Sequence, residues 1–148
     1  MTSTDLASSC SVRIAFSPIV VGTGAPIVGP EIDTIGYRWA LVILNLGVIP
    51  TGGAAGVVRV QGADTSGGSF VNLPAAAFTI LDADDNSIKT GRMDLNEFPR
   101  FLRLNGTGAA TGNNLLGATM VLYGPQLPGL PDFSAGGADA LTFSALTK

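Results

Sequence analysis

The sequence predicts an all-β protein, an antiparallel β-sandwich of jelly-roll-like type with about eight strands and extended N- and C-terminal arms. Three observations carry this expectation. Twenty glycines and nine prolines cut the 148 residues into short apolar runs, the pattern of many strands separated by turns. No stretch in the middle of the chain keeps a helical period free of Gly or Pro. Hydrophobic residues make up 46% and charged residues only 13%, so the chain buries a sizeable core or buries further surface by assembling.

The strand that organises the rest begins at Tyr37. Between Tyr37 and Val48, Tyr37, Trp39, Leu41 and Ile43 fall on one face, and Arg38, Ala40, Val42 and Leu44 on the other. Both faces are apolar in the middle, so this strand is covered on both sides or lies at the centre of a sheet. Trp39, set in the most apolar strand, reads as a core residue rather than a sugar-stacking platform. A return strand from Gly56 alternates Val58, Val60 and Gly62 with Val57, Arg59 and Gln61. The intervening Pro50-Thr51-Gly52-Gly53-Ala54-Ala55 supplies turn chemistry, so the pair reads as a hairpin. No membrane span is expected here: the apolar run stops at Pro50, far short of the roughly 20 residues a spanning helix needs.

The other elements follow in order. Residues 1–11 are small and polar and read as a flexible arm. The sandwich domain is expected over residues 12–123. It starts with a strand from Val12 to Val21, turned at Pro18, and continues in a Gly- and Pro-rich loop from Gly22 to Gly36 that holds the apolar pair Ile27-Val28. After the turn at Gly67-Gly68 comes a short strand from Ser69 to Leu73. Two more, Ala76 to Leu81 and Ser87 to Met93, flank the acidic turn Asp82-Ala83-Asp84-Asp85-Asn86. A strand from Arg100 to Asn105 sets Leu102 and Leu104 against Phe101 and Arg103. The formal glycosylation sequon Asn105-Gly106-Thr107 reads as a tight turn opening the polar stretch Gly106 to Asn114. Leu115 to Tyr123 is the last core strand, with Leu116, Ala118, Met120 and Leu122 on one face.

Composition excludes several kinds of chemistry. Eight basic against eleven acidic residues give a net charge of −3, and the arginines are scattered singly, so no basic footprint for nucleic acid exists. The absence of histidine removes the Ser-His-Asp and Cys-His arrangements and the usual zinc sites. A single cysteine, Cys10, allows no internal disulfide and reads as an idle thiol. The opening residues lack the basic start and apolar middle of a signal peptide, so synthesis and assembly in a cytoplasm are expected. Gly22-Thr23-Gly24 lacks the Lys-Ser/Thr ending of a phosphate loop. Asp82, Asp84 and Asn86 match the first alternating oxygens of a calcium loop and form a weak metal candidate. Ser87 and Met93 stand where that loop needs Gly and Glu, so a solvated hairpin turn is the simpler reading. No cofactor and no enzymatic activity are expected.

Residues 124–148 form an extended Pro- and Gly-rich C-terminal arm that still carries Leu127, Leu130, Phe133, Leu141, Phe143 and Leu146, with Pro131 among them. Burying one such side chain is worth roughly 1.5 to 3 kcal/mol, so a solvated linker would not keep six. The arm either folds over its own sandwich or lies on a neighbouring subunit. The neighbour is the favoured expectation, with these residues as the partner-binding set.

The order of features resembles the small cement or decoration proteins on tailed-phage heads, such as the jelly-roll cement proteins of a Bordetella podovirus and similar phages. The similarity runs from about Gly36 to Leu122. It is carried by Tyr37-Arg38-Trp39-Ala40-Leu41, Val58-Arg59-Val60-Gln61-Gly62-Ala63-Asp64, Phe70-Val71-Asn72-Leu73, Thr90-Gly91-Arg92 and Phe98-Pro99-Arg100-Phe101-Leu102-Arg103-Leu104. The resemblance implies a virion protein on the outer surface of the capsid that binds the major capsid protein and itself, as a homodimer or homotrimer. The alternatives are another virion part (tail, baseplate or head-fibre protein) and a calcium-dependent sugar-binding jelly roll.

Overall fold

The computed structural model describes residues 10–22, 24–49, 56–108, 114–125 and 143–146. Ten strands occur among them: β1 (Cys10–Val21), β2 (Pro26–Val28), β3 (Ile32–Asp33), β4 (Tyr37–Leu46), β5 (Gly56–Ala63), β6 (Val71–Ile80), β7 (Ile88–Asp94), β8 (Phe101–Thr107), β9 (Asn114–Pro125) and β10 (Phe143–Leu146). Two single turns of 3₁₀-helix, Asp82–Asp84 and Leu95–Glu97, precede β7 and β8. Among the described residues no helix is long and apolar enough to cross a membrane.

The strands form two antiparallel sheets. Sheet A has the order β1-β9-β4-β7-β10, and sheet B the order β2-β8-β5-β6, with β3 also paired to β8. With β10 set aside and β2 and β3 counted as one interrupted strand, β1 pairs with β9, β2/β3 with β8 and β4 with β7, and so inward to the β5–β6 hairpin. That is a long two-stranded ribbon rolled into a sandwich, the jelly-roll arrangement.

Alternation fills the space between the sheets. Sheet A turns Ala40, Val42, Leu44 and Leu46 of β4 inward, along with Leu116, Ala118, Met120 and Leu122 of β9 and Met93 of β7. Sheet B answers with Ile27, Val58, Val60, Phe78, Ile80, Leu102 and Leu104. β4 is the middle strand of sheet A, bonded to β9 and β7, as its two apolar faces predict.

Several expectations are corrected. β4 and β5 do not form a hairpin, because β4 lies in sheet A and β5 in sheet B. The same holds for the acidic turn, which carries the chain from β6 in sheet B to β7 in sheet A. Trp39 is not in the core. Its parity places it with Leu41 and Ile43 on the outer face of sheet A, half-buried. The expected loop from Gly22 to Gly36 contains β2 and β3, because Ile27 and Ile32 each find a buried place beside β8. The two short segments on either side of Pro74 are one strand, β6. It bulges so that Val60 alone stands opposite the four residues between Asn72 and Ala77, with Ala75 at φ +56°. The sequon is not a turn either. Asn105, Gly106 and Thr107 sit inside β8, paired on one side with β2 and on the other with β5.

Two glycines permit close backbone approaches, Gly106 between neighbouring strands of sheet B and Gly29 between the two sheets. A Cβ at Gly106 would lie 2.3 Å from the Val57 carbonyl oxygen, and one at Gly29 would lie 2.1 Å from the Ala15 carbonyl oxygen where the two sheets meet at their sides. Backbone on both sides leaves no flexible neighbour to yield. Gly29→Ala is therefore expected to lower unfolding stability by about 2–3 kcal/mol, measured by urea denaturation, with the secondary structure retained.

Candidate partner-binding surface

The outer faces of the two sheets differ in chemistry, and the difference is written in the residues that alternate with the core. On sheet A, Val12 of β1 stands beside Val121 of β9, Leu41 of β4 and Arg92 of β7. The next row joins Ile14, Thr119, Ile43 and Thr90. Val12 and Ile14 are 64% and 63% exposed. At one end of this face Ile14, Pro18, Asn45, Leu115 and Thr119 line a shallow, mainly apolar groove of about 360 Å³. Pro18 reaches over Gly117 there, at a distance where a side chain would touch it.

Sheet B is mixed: the outward Val28 is 58% exposed, but beside it lies a run of polar groups. Gln61 Nε2 donates to Asn72 Oδ1 at 2.9 Å, and Arg103 Nε donates to Gln61 Oε1 at 2.9 Å, a polar ladder across β8, β5 and β6. The Arg103 guanidinium also lies 4.2 Å from the centre of the Phe70 ring. Arg59 and Asn105 form the neighbouring cross-strand pair.

Trp39 closes the far end of the apolar face. The guanidinium carbons of Arg92 and Arg38 lie 4.5 Å and 5.2 Å from its ring centre, within cation–π reach. Gly124, at φ +66°, comes so close that a Cβ would lie 2.9 Å from Trp39 Cδ1. Arginine packing on the ring competes with any sugar that would stack there.

The acidic turn is engaged internally. Asp84 Oδ2 accepts from the Leu81 N–H at 2.7 Å and lies 2.7 Å from Lys89 Nζ. Asp85 Oδ1 accepts from the Ile49 N–H, tying this turn to the residues just after β4. Asn86 sits at φ +51° and donates its N–H to the Gly47 carbonyl. Among the described residues no group of three or more acidic or cysteine side chains is placed to hold a metal ion. Cys10, a free and half-buried thiol, opens β1 opposite Tyr123.

Of the expected partner-binding residues, Phe143 and Leu146 belong to β10, which pairs with Gly91 and Ile88 of β7 in the same chain. Leu127, Leu130, Pro131, Phe133 and Leu141 lie outside the described residues. The outward-facing Val12, Leu41, Ile43 and Val121, which lie in two adjacent rows, were not singled out from the sequence. Their signal was present in the double apolar alternation of Tyr37 to Leu46.

No family model matches this chain, and no curated protein matches it. Among solved structures it is similar to the SPBc2 prophage-derived protein YomS. That likeness has a TM-score of 0.48 at 11% identity and covers 76% of this chain and 92% of that one.

One ion pair on the surface has a readable titration. Arg100 donates from Nε and Nη2 to the two carboxylate oxygens of Asp33 at 2.8 and 2.7 Å, joining β3 to the start of β8. This pairing, helped by the Ile35 N–H, holds the Asp33 carboxyl below the ordinary aspartate range. A depressed folded value means the pair's contribution is present above the unfolded pKa of about 3.9 and is lost as pH falls through the folded one. Both side chains are 40% exposed or more, so the contribution is small. NMR titration is expected to place the Asp33 midpoint below that of an unfolded-chain aspartate, and Arg100→Gln is expected to raise it.

Proposed function

We propose that this chain is a structural virion protein of a tailed phage, a cement or decoration protein that binds the outer surface of the capsid. In this reading it bridges neighbouring major capsid subunits, acts with further copies of itself and performs no catalysis. The observation that carries the reading is the unequal pair of outer faces. The face of sheet A, richer in apolar groups than the more polar face of sheet B, favours a docked surface over a solvated one. The resemblance of Tyr37 to Leu41, Val58 to Asp64 and Phe98 to Leu104 to cement proteins gives the class of partner.

The physical role follows from linkage. A protein that binds only the expanded shell stabilises that shell in proportion to its occupancy and affinity, whatever chemistry the contact uses. Rigid sandwiches suit this task, since little conformational freedom is lost when a preformed face docks.

A different virion location is the second reading, because the same apolar face would serve in a tail, baseplate or head fibre. Labelled protein seen by electron microscopy separates the two. Binding to heads lacking the protein should raise their resistance to heat and chaotrope; attachment to tails alone would remove the capsid reading. Leu41→Lys places a charge in the docked face and should weaken head binding roughly tenfold or more. Arg59→Glu, on sheet B, should leave head binding unchanged, and both variants should fold.

A further inference from the structure

The sandwich has four terminal strands, and three carry devices that discourage pairing. β2 and β3 are three and two residues long, with Pro26 opening the first and Pro30 lying between them. β6 bulges at Pro74 and Ala75, which twists its edge out of line. β10 is four residues long. Short strands, bulges and prolines are the ordinary means of keeping an open edge from recruiting another.

β1 is different. From Cys10 to Ile14 it runs in unbroken register with β9 and contains no Pro or Gly; its irregularities begin only after Ile14. It is terminal in sheet A, and among the described residues no strand pairs with its outer edge. Val12 and Ile14 are also among the most exposed large apolar side chains described. Pro18 and the register shifts after Ile14 confine the open part of this edge to Cys10–Ile14, and that regular, apolar-bearing stretch is a template for one more strand.

We propose that β1 pairs with β1 of a second copy, antiparallel about a two-fold axis at Val12, so that two A sheets become one continuous sheet. The register is set by charge and by the bulge. Centring on Val12 puts Cys10 opposite Ile14 of the second copy and Ser11 opposite its Arg13. Centring one residue later would put Arg13 directly opposite Arg13, and like charges facing each other across a ladder are destabilising. Centring on Ile14 would run the pairing into the bulge that follows it. β1 contains no acidic residue, so the Val12 register is the one that keeps the two guanidinium groups apart while stacking apolar groups on the outer face. A two-fold axis makes the contact self-complementary and closed, giving dimers and not filaments. This inference rests on the self-association in the reading above and gives it an interface; its test in the free protein is separate from head binding.

Disulfide trapping reads both the partner and the register. At the axis the two residue-12 positions come within the Cα separation of about 4.4–6.8 Å that a disulfide spans. The two residue-14 positions stand four residues out of register, roughly 13 Å apart. In full-length protein under mild oxidation, Cys10→Ser/Val12→Cys should form covalent dimer at least about tenfold faster than Cys10→Ser/Ile14→Cys, although both sites are equally exposed. Ile14→Cys with Cys10 retained should cross-link readily, through two Cys10 contacts with position 14 of the other copy. Equal rates for the first two variants would overturn the register and the proposal. Cys10→Ser/Val12→Cys that stays monomeric, free or bound to heads, would give this edge to a capsid strand or to residues 1–9 of the same chain and overturn it too. Head binding by Leu41→Lys is read independently of these outcomes.

Discussion

The structure depends on the parity of one strand. Ala40, Val42, Leu44 and Leu46 point inward from the middle of sheet A, and none exceeds 4% exposure. Because strand side chains alternate with a period of two, sliding β4 by one residue against its neighbours would drive Trp39, Leu41 and Ile43 into the core and turn Ala40, Val42 and Leu44 out of it. β4 is bonded on both flanks, to β9 over Tyr37–Leu46 and to β7 over Trp39–Asn45, so its register fixes theirs. Met93, Met120 and Leu122 are buried because β4 is placed as it is.

The same parity produces the outer surface. Once the even-numbered residues of β4 are committed inward, the odd-numbered ones have nowhere to go but out, and Trp39, Leu41 and Ile43 among them are apolar. The sequence supplies no such excess on sheet B, where Arg59, Gln61, Arg103 and Asn105 alternate with Val58, Val60, Leu102 and Leu104. The chemical asymmetry of the two faces is thus a property of local sequence. Only the fold decides that the rows of β1, β9 and β4 become contiguous.

Strand existence and inward faces were legible in the sequence, because alternation is a local signal. Val58, Val60 and Gly62, and Leu116 to Leu122, point where the pattern put them. Sheet membership was not legible: the spacing from Leu46 to Gly56 suits a hairpin and a crossing equally well, and only the packing of whole layers chooses. Trp39 was misplaced for a related reason, since a strand with two apolar faces does not say which is inside. Gly106 was read as turn glycine because its real cause, the Val57 backbone lying against it, comes from a segment some fifty positions away. β2 and β3 are too short to carry a pattern. Of the candidate site, the sequence placed weight on the C-terminal arm, of which β10 alone falls among the described residues, and left β1 unremarked because an open edge is a fact of topology.

The rolled ribbon also bears on synthesis. Cys10–Val21 is made first, yet its ladder partner is Asn114–Pro125, near the far end of the chain. Closing a loop of that length is slow compared with forming the local β5–β6 hairpin, so the nascent N-terminal strand waits while the ribosome completes the domain. Its valines and isoleucines are unshielded for that whole interval, which makes the newborn chain a natural client for holding chaperones.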